Sequence, residues 1–197
     1  MGGKSSSEGR IRVYYAHPIF LYDTDEEKNA LGVIQKHLHD VDILNPKKYD
    51  EDPEFSKQKK AEGMEFCFRL IDSVDYLVFQ CFAISSDFKE FTLDYLTHAD
   101  EYKGQLNSLA RKQEDVLHNL IQNRKIVTPG VDKEIEYALN CSKCVYEVQG
   151  QAMKQITKKP EYAVLPRGCY RTFSILLRAY RSKSSHLLFP PFWWLER

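Results

Sequence analysis

The sequence lacks a long apolar run: no stretch of its 197 residues approaches the ~20 apolar residues that a membrane-spanning helix needs. It also lacks a charge of dominant sign, with 28 Lys and Arg against 28 Asp and Glu. No basic excess recommends a nucleic-acid partner, and no acidic excess recommends a solvating tail. The five cysteines (Cys67, Cys81, Cys141, Cys144 and Cys169) are odd in number and scattered, which is not a disulfide framework. Cys141 and Cys144 have C-x-x-C spacing, but no second such pair or paired-histidine motif supplies the ligand set of a zinc site. The plain reading is a helix end followed by a strand start, with no metal. The first ten residues lack the apolar segment of a signal peptide, and no internal repeat is visible. The expectation from these features is a soluble, cytoplasmic protein with neither a membrane nor a nucleic-acid partner.

What is present suits a folded domain. The chain has 12 Tyr and 11 Phe, too many for extended disorder, and its length favours one domain. The expected organisation is a flexible start over 1–10, an α/β domain over 11–182 with a helical insertion at 85–124, and an apolar tail at 183–197. Ile11 to Ala16 is β-rich and ends at His17-Pro18, where proline cannot continue a ladder. Thr24 can cap a helix with Glu27 as its capping-box partner, and Leu31, Ile34 and Leu38 continue the helical stripe. Val41 to Leu44 reads as a strand ended by Asn45-Pro46. Residues 46–60 are polar and lysine-rich and read as a loop or exposed turn. A helix through Met64 to Ile71 precedes the near-continuous apolar strand 75–82, the pattern of a parallel strand covered on both faces. Ser85 or Ser86 caps the insertion, whose aromatic stripe includes Phe88, Phe91 and Tyr95 and which Gly104 can break. A helix through Ile135 and Ala138 leads to the strand 144–148, and Tyr170 to Tyr180 reads as a helix. Strand and helix alternate, so the sheet is expected to have four or five mostly parallel strands with helices on both sides.

In such sheets, ligands sit beyond the carboxyl ends of the strands. Three segments lie there: Tyr14 to Ile19, Asn45-Pro46, and Thr128-Pro129-Gly130-Val131-Asp132-Lys133-Glu134. In the third, Gly130 permits a close approach or an unusual φ, and the following helix start offers free N–H groups. Glu134, about one turn inside, could serve as nucleophile or general base. Equally, acidic residues favour first turns through the helix dipole, as Asp132 and Glu136 would too.

Ile11-Arg12-Val13-Tyr14-Tyr15-Ala16-His17-Pro18-Ile19-Phe20 resembles the opening of the nucleoside 2-deoxyribosyltransferase family. Gly130-Val131-Asp132-Lys133-Glu134-Ile135-Glu136-Tyr137-Ala138 resembles that family's nucleophile segment. The likeness covers residues 11–148. It implies a flavodoxin-like fold without a cofactor, in which Glu134 attacks the anomeric carbon of a nucleoside or nucleotide and Tyr14 orients it through its hydroxyl. It also implies that His17, Pro18, Ile19, Asn45, Thr128, Pro129 and Gly130 line the small-molecule site. Separately, the protein is expected to be a homo-oligomer. The chain departs from the family pattern at Thr128, where an acidic residue is usual, near Cys67, where an aspartate is common, and at Glu136, which replaces a glycine. Three rival readings remain: a non-catalytic nucleotide sensor, an NAD-cleaving enzyme of the TIR type, and a protein-interaction module built on the insertion and tail.

Overall fold

A computed structural model describes residues 10–98 and 113–184. Gly104, most of the expected flexible start and nearly all of the apolar tail lie outside them. The chain forms two compact units. One comprises residues up to 82 with 125–164, and the other comprises 83–124 with the chain from 165 onward.

The first unit is an α/β layer structure. Its strands are β1 (Ile11–Ala16), β2 (Val41–Leu44), β3 (Tyr76–Gln80), β6 (Cys144–Gln149) and β7 (Ala152–Ile156), in the order β2-β1-β3-β6-β7. β1 runs parallel to both β2 and β3, and β3 runs parallel to β6. Only β7 is antiparallel, hairpinned onto β6 through Gly150 at φ +60°, a left-handed turn that glycine adopts without a Cβ penalty. The expected mostly parallel sheet is therefore present, with one short edge strand, none of its residues buried, that the apolar pattern did not announce. Three short strands, β4 (Phe82–Ala83), β5 (Lys125–Val127) and β8 (Ala163–Val164), were also not anticipated; β5 pairs parallel to β8.

Alternation along β1 sends its side chains to opposite faces. Tyr14 and Ala16 join Leu77, Phe79 and Val145 under Ile71 of α4 (Met64–Asp72) and under Val131, Ile135 and Ala138 of α7 (Pro129–Asn140). Val13 and Tyr15 join Val78 and Val148 under Ala30, Val33 and Ile34 of α1 (Asp25–Leu38). Both faces are thus covered, as the apolar β3 requires.

The lysine-rich stretch 46–60 is not a loop. It forms α2 (Pro46–Glu51) and α3 (Pro53–Glu62). The reason is local: Asn45 and Asp52 each cap a helix, Asn45 Oδ1 accepting from Lys47 N (3.0 Å) and Asp52 Oδ1 from Glu54 N (2.9 Å), and each cap is followed by proline at the first helical position. That position tolerates proline because its N–H would be unsatisfied anyway. Cys141 ends α7 and Cys144 starts β6, both exposed as free thiols.

In the second unit, α5 (Ser86–Thr97) is capped by Ser85, whose hydroxyl accepts from Phe88 N at 3.1 Å. It is accompanied by α6 (Glu114–Ile121) and α8 (Tyr170–Ser184). The aromatic stripe of α5 meets α8: Phe88 lies edge-on to Phe173 (5.7 Å) and Tyr180 (5.2 Å), and Phe91 is tilted on Tyr180 (5.7 Å). Much of the breadth of that stripe is accounted for by this packing. Among the described residues, no helix is long and apolar enough to cross a membrane.

Candidate functional site

α7 begins where Thr128 caps it in extended conformation, with Pro129 at its first position and Asp132 N donating to Thr128 O at 3.0 Å. Val131, Glu134, Ile135 and Ala138 are its buried residues. They follow the i, i+3, i+4, i+7 spacing of a single helix face. Glu134 thus occupies a position where an aliphatic side chain would normally sit. It is 6% exposed, whereas its neighbour Glu136 faces solvent. A helix-dipole role needs no burial, so position on the helix separates the two acids.

The partner of Glu134 comes from the sheet. Tyr14, fully buried in the middle of β1, donates its hydroxyl to Glu134 Oε1 at 2.9 Å. Cys67 of α4 and Lys59 of α3 are near enough to bear on the charge of Glu134. Burial raises the Glu134 carboxyl to about 7, against the opposing pull of Tyr14, Cys67 and Lys59. Desolvation penalises the charged form of a carboxyl and explains the direction. The Tyr14 hydroxyl is raised well above its ordinary range, first by burial and then by the Glu134 charge, so it remains a donor. A desolvated carboxylate near neutrality, oriented by one donor, is suited to nucleophilic or base chemistry.

The other candidate residues fall into two groups. Thr128 is buried, while Pro129 and Gly130 are half-buried at the start of α7. Gly130 has an ordinary negative φ, so of the two uses open to glycine there the unusual backbone is absent. A Cβ at Gly130 would meet nothing within 4 Å, so packing does not require glycine and the space beside it is open. His17, Pro18 and Asn45 are buried, and Ile19 is 52% exposed. His17 and Asn45 converge on Glu27 of α1 rather than on Glu134. Asn45 Nδ2 donates to Glu27 Oε1 at 2.8 Å, and Asp23 N donates to Glu27 Oε2 at 2.6 Å. His17 Nε2 stands 3.2 Å from Glu27 Oε1, not aligned as a hydrogen bond, and the ring stacks on Tyr15 at 4.3 Å. Burial lowers the His17 pKa, with Glu27 opposing, so the imidazole is neutral at physiological pH. This cluster lies with Tyr15 and α1, on the opposite side of the sheet from Tyr14.

Sequence reasoning did not place Cys67, Lys59 or Glu27 in a site. Glu27 does sit in the first turn of α1, and Thr24 Oγ1 accepts from its N–H at 3.3 Å. Its carboxylate, however, turns to Asn45, 18 residues away. The parity of β1 was the available signal, since residues 14 and 17 point to opposite faces.

Comparison of the chain with models of protein families, with curated proteins and with solved structures gives no match.

Proposed function

We propose that this protein cleaves or exchanges the N-glycosidic bond of a nucleoside or nucleotide, with Glu134 as nucleophile. The observation that carries this reading is the buried Tyr14–Glu134 hydrogen bond, 2.9 Å long, in which a carboxylate occupies the otherwise apolar face of a helix. Tyr14 engages Oε1, which leaves Oε2 for attack. A lone pair of Oε2 would form a bond to C1′ as the C1′–N bond breaks, and the electron pair would leave with the base. Water or a second base would then attack the glycosyl ester and restore the carboxylate. This is the two-step logic of retaining glycosidases.

The sheet supports the same reading. The parallel strands run β2-β1-β3-β6, a flavodoxin-like arrangement whose order reverses between β1 and β3, and ligands of such sheets bind at that crevice. The Glu134 carboxyl, at about 7, must be ionised to attack, so activity is expected to rise with pH through that value.

The test is incubation with a panel of nucleosides, nucleotides and NAD, with chromatography for released base. Glu134→Gln keeps the size of the side chain and removes its charge. It should lower base release by about 1,000-fold or more, because covalent catalysis depends on that carboxylate. Glu136→Gln, on the exposed face, should retain the parent rate. Equal rates in the two variants would refute the assignment.

A further inference from the structure

A second buried polar cluster lies on the α1 face, outside the chemistry assigned to Glu134. His17 and Asn45 follow β1 and β2, and Glu27 stands in the first turn of α1; all three are buried. Glu27 holds the surrounding chain. Its Oε2 accepts from Asp23 N at 2.6 Å and its Oε1 from Asn45 Nδ2 at 2.8 Å. Asp23 is kept at φ +63°, a left-handed conformation that few residues other than glycine, asparagine and aspartate adopt. The His17 ring is wedged between Tyr15 (4.3 Å, stacked) and Tyr22 (4.8 Å, tilted). Both of its nitrogens face acceptors. Nδ1 is 3.3 Å from Tyr15 O, and Nε2 is 3.2 Å from Glu27 Oε1. A neutral imidazole carries one N–H, which serves Tyr15 O or Glu27 Oε1 but not both. With Nδ1–H given to Tyr15 O, the Nε2 lone pair faces a carboxylate oxygen, and Nε2 is buried without a hydrogen bond. The cluster is one proton short of full pairing.

We propose that His17 and Glu27 form a proton-operated clasp: one proton taken up at Nε2 turns an unbonded contact into an N–H···O ion pair and tightens the chain over 17–23 against α1. Oε1 has the capacity for it, since each carboxylate oxygen offers about two acceptor positions and Asn45 uses one. A bond between two ionised groups is also shorter and stronger than a neutral one, and from 3.2 Å a small turn of the ring aligns it. The titratable and charged groups around the ring are Tyr15 from β1, Tyr22 and Asp23 from the chain that follows it, Glu27 from α1 and Lys47 from α2. Glu27 is the anion in contact with the ring, and Lys47 is turned to Asp23. Burial lowers the His17 midpoint and the Glu27 charge opposes, so the clasp closes on the acid side of the ordinary histidine range. Residues 17–23 and Asn45 lie at the carboxyl ends of β1 and β2, where ligands of parallel sheets bind. Acid therefore orders the rim of that crevice. The clasp does not depend on the reading of Glu134 as a nucleophile.

Imidazole nitrogen-15 NMR on the whole chain reads the proton directly, the His17 signals being those missing from His17→Gln. The parent at pH 8 should show the Nδ1–H tautomer, and on acidification Nε2 should gain the proton. In Glu27→Gln the His17 midpoint should fall by about one unit or more, because an ionised neighbour in contact is lost. Hydrogen exchange measures the clasp itself. The amides of Leu21, Tyr22 and Thr24 bond within the segment and that of Asp23 to Glu27. Their exchange, corrected for the intrinsic effect of pH, should slow by about threefold or more as His17 takes its proton, and His17→Gln should abolish the slowing. The tautomer and the exchange of parent and His17→Gln decide the matter should Glu27→Gln fail to fold. An Nε2–H tautomer at pH 8 overturns the proposal, as does an unchanged or raised midpoint in Glu27→Gln. So does a slowing that survives in His17→Gln. Amides that exchange equally or faster once His17 is charged overturn it too, the charged ring having left its seat for water.

Discussion

The two faces of one sheet each bury a glutamate beside β1, and they surround it differently. On the α1 face, Glu27 receives a backbone N–H from Asp23 and a side-chain N–H from Asn45, with the His17 ring 3.2 Å away. Those donors come from the segments following β1 and β2, so the carboxylate ties two loops to the start of α1. On the other face, Glu134 is met by a single hydroxyl, that of Tyr14, among Val131, Ile135 and Ala16. A buried charge supplied with donors contributes to folding, and one left short of them opposes it. The α1 face is built like a clasp. The α7 face holds a carboxylate at a cost to stability, which is the usual condition of a group kept for chemistry.

Stability measurements can break this comparison, beginning with the largest effect. The Glu134 carboxyl is raised from 4.5 to about 7, so the folded state binds its proton more tightly than the unfolded chain does. Its contribution to stability is fully present below about pH 4.5 and is lost as pH rises through 7. Glutamine does not titrate. The stability of Glu134→Gln relative to the parent should therefore climb by roughly 3 kcal/mol between pH 4.5 and 8.5. Urea unfolding at the two pH values measures it. A flat difference would mean that Glu134 is solvated in the folded state.

Glu27→Gln should move stability the other way. The amide keeps one acceptor but turns an N–H toward donors, leaving either Asp23 N–H or the Asn45 amide unpaired in a buried place. The expected cost is about 2 kcal/mol at any pH between 6 and 8, read as a lower urea midpoint with an unchanged slope. A neutral outcome would remove the contrast between the two faces.

Much of this arrangement is legible in the sequence, and the gaps have physical causes. β1, β2, β3 and β6 announce themselves through apolar runs that stop at proline or polar turns. Tyr14 and Glu134 lie in motifs whose order along the chain brings them together. Residues 46–60 misled because their lysines mask two helices, although Asn45-Pro46 and Asp52-Pro53 carry the capping chemistry in plain view. β7 (Ala-Met-Lys-Gln-Ile) is a short edge strand without a buried residue, and it has no apolar run to separate it from a loop. Grouping His17 and Asn45 with Glu134 rested on their shared position at strand ends. Face, not end, decides which side chains meet, and strand parity puts Tyr14 and His17 on opposite sides. The approach of Cys67 to Glu134 depends on how α4 lies over β1, which no local pattern records.

The smallest expected effect is the sharpest probe of the α7 face. Tyr14→Phe removes one hydroxyl and leaves the ring, so the core around Ala16 and Phe79 keeps its volume. The lost bond differs in worth with the charge of its acceptor. Below pH 5 Glu134 is protonated, and the Tyr14 bond is an ordinary neutral one. Above pH 8 it is a charge-assisted bond to a desolvated carboxylate, roughly twice as strong. The cost of Tyr14→Phe at pH 8.5 should therefore exceed its cost at pH 5 by about 1 kcal/mol. By the same linkage the Glu134 midpoint should move up by somewhat under one unit. If Tyr14 served only as a core aromatic that happens to touch Glu134, the cost would be the same at both pH values and the midpoint would stay near 7. Phenylalanine thus separates a tyrosine that orients a charge from one that fills space, and it does so before any substrate is known.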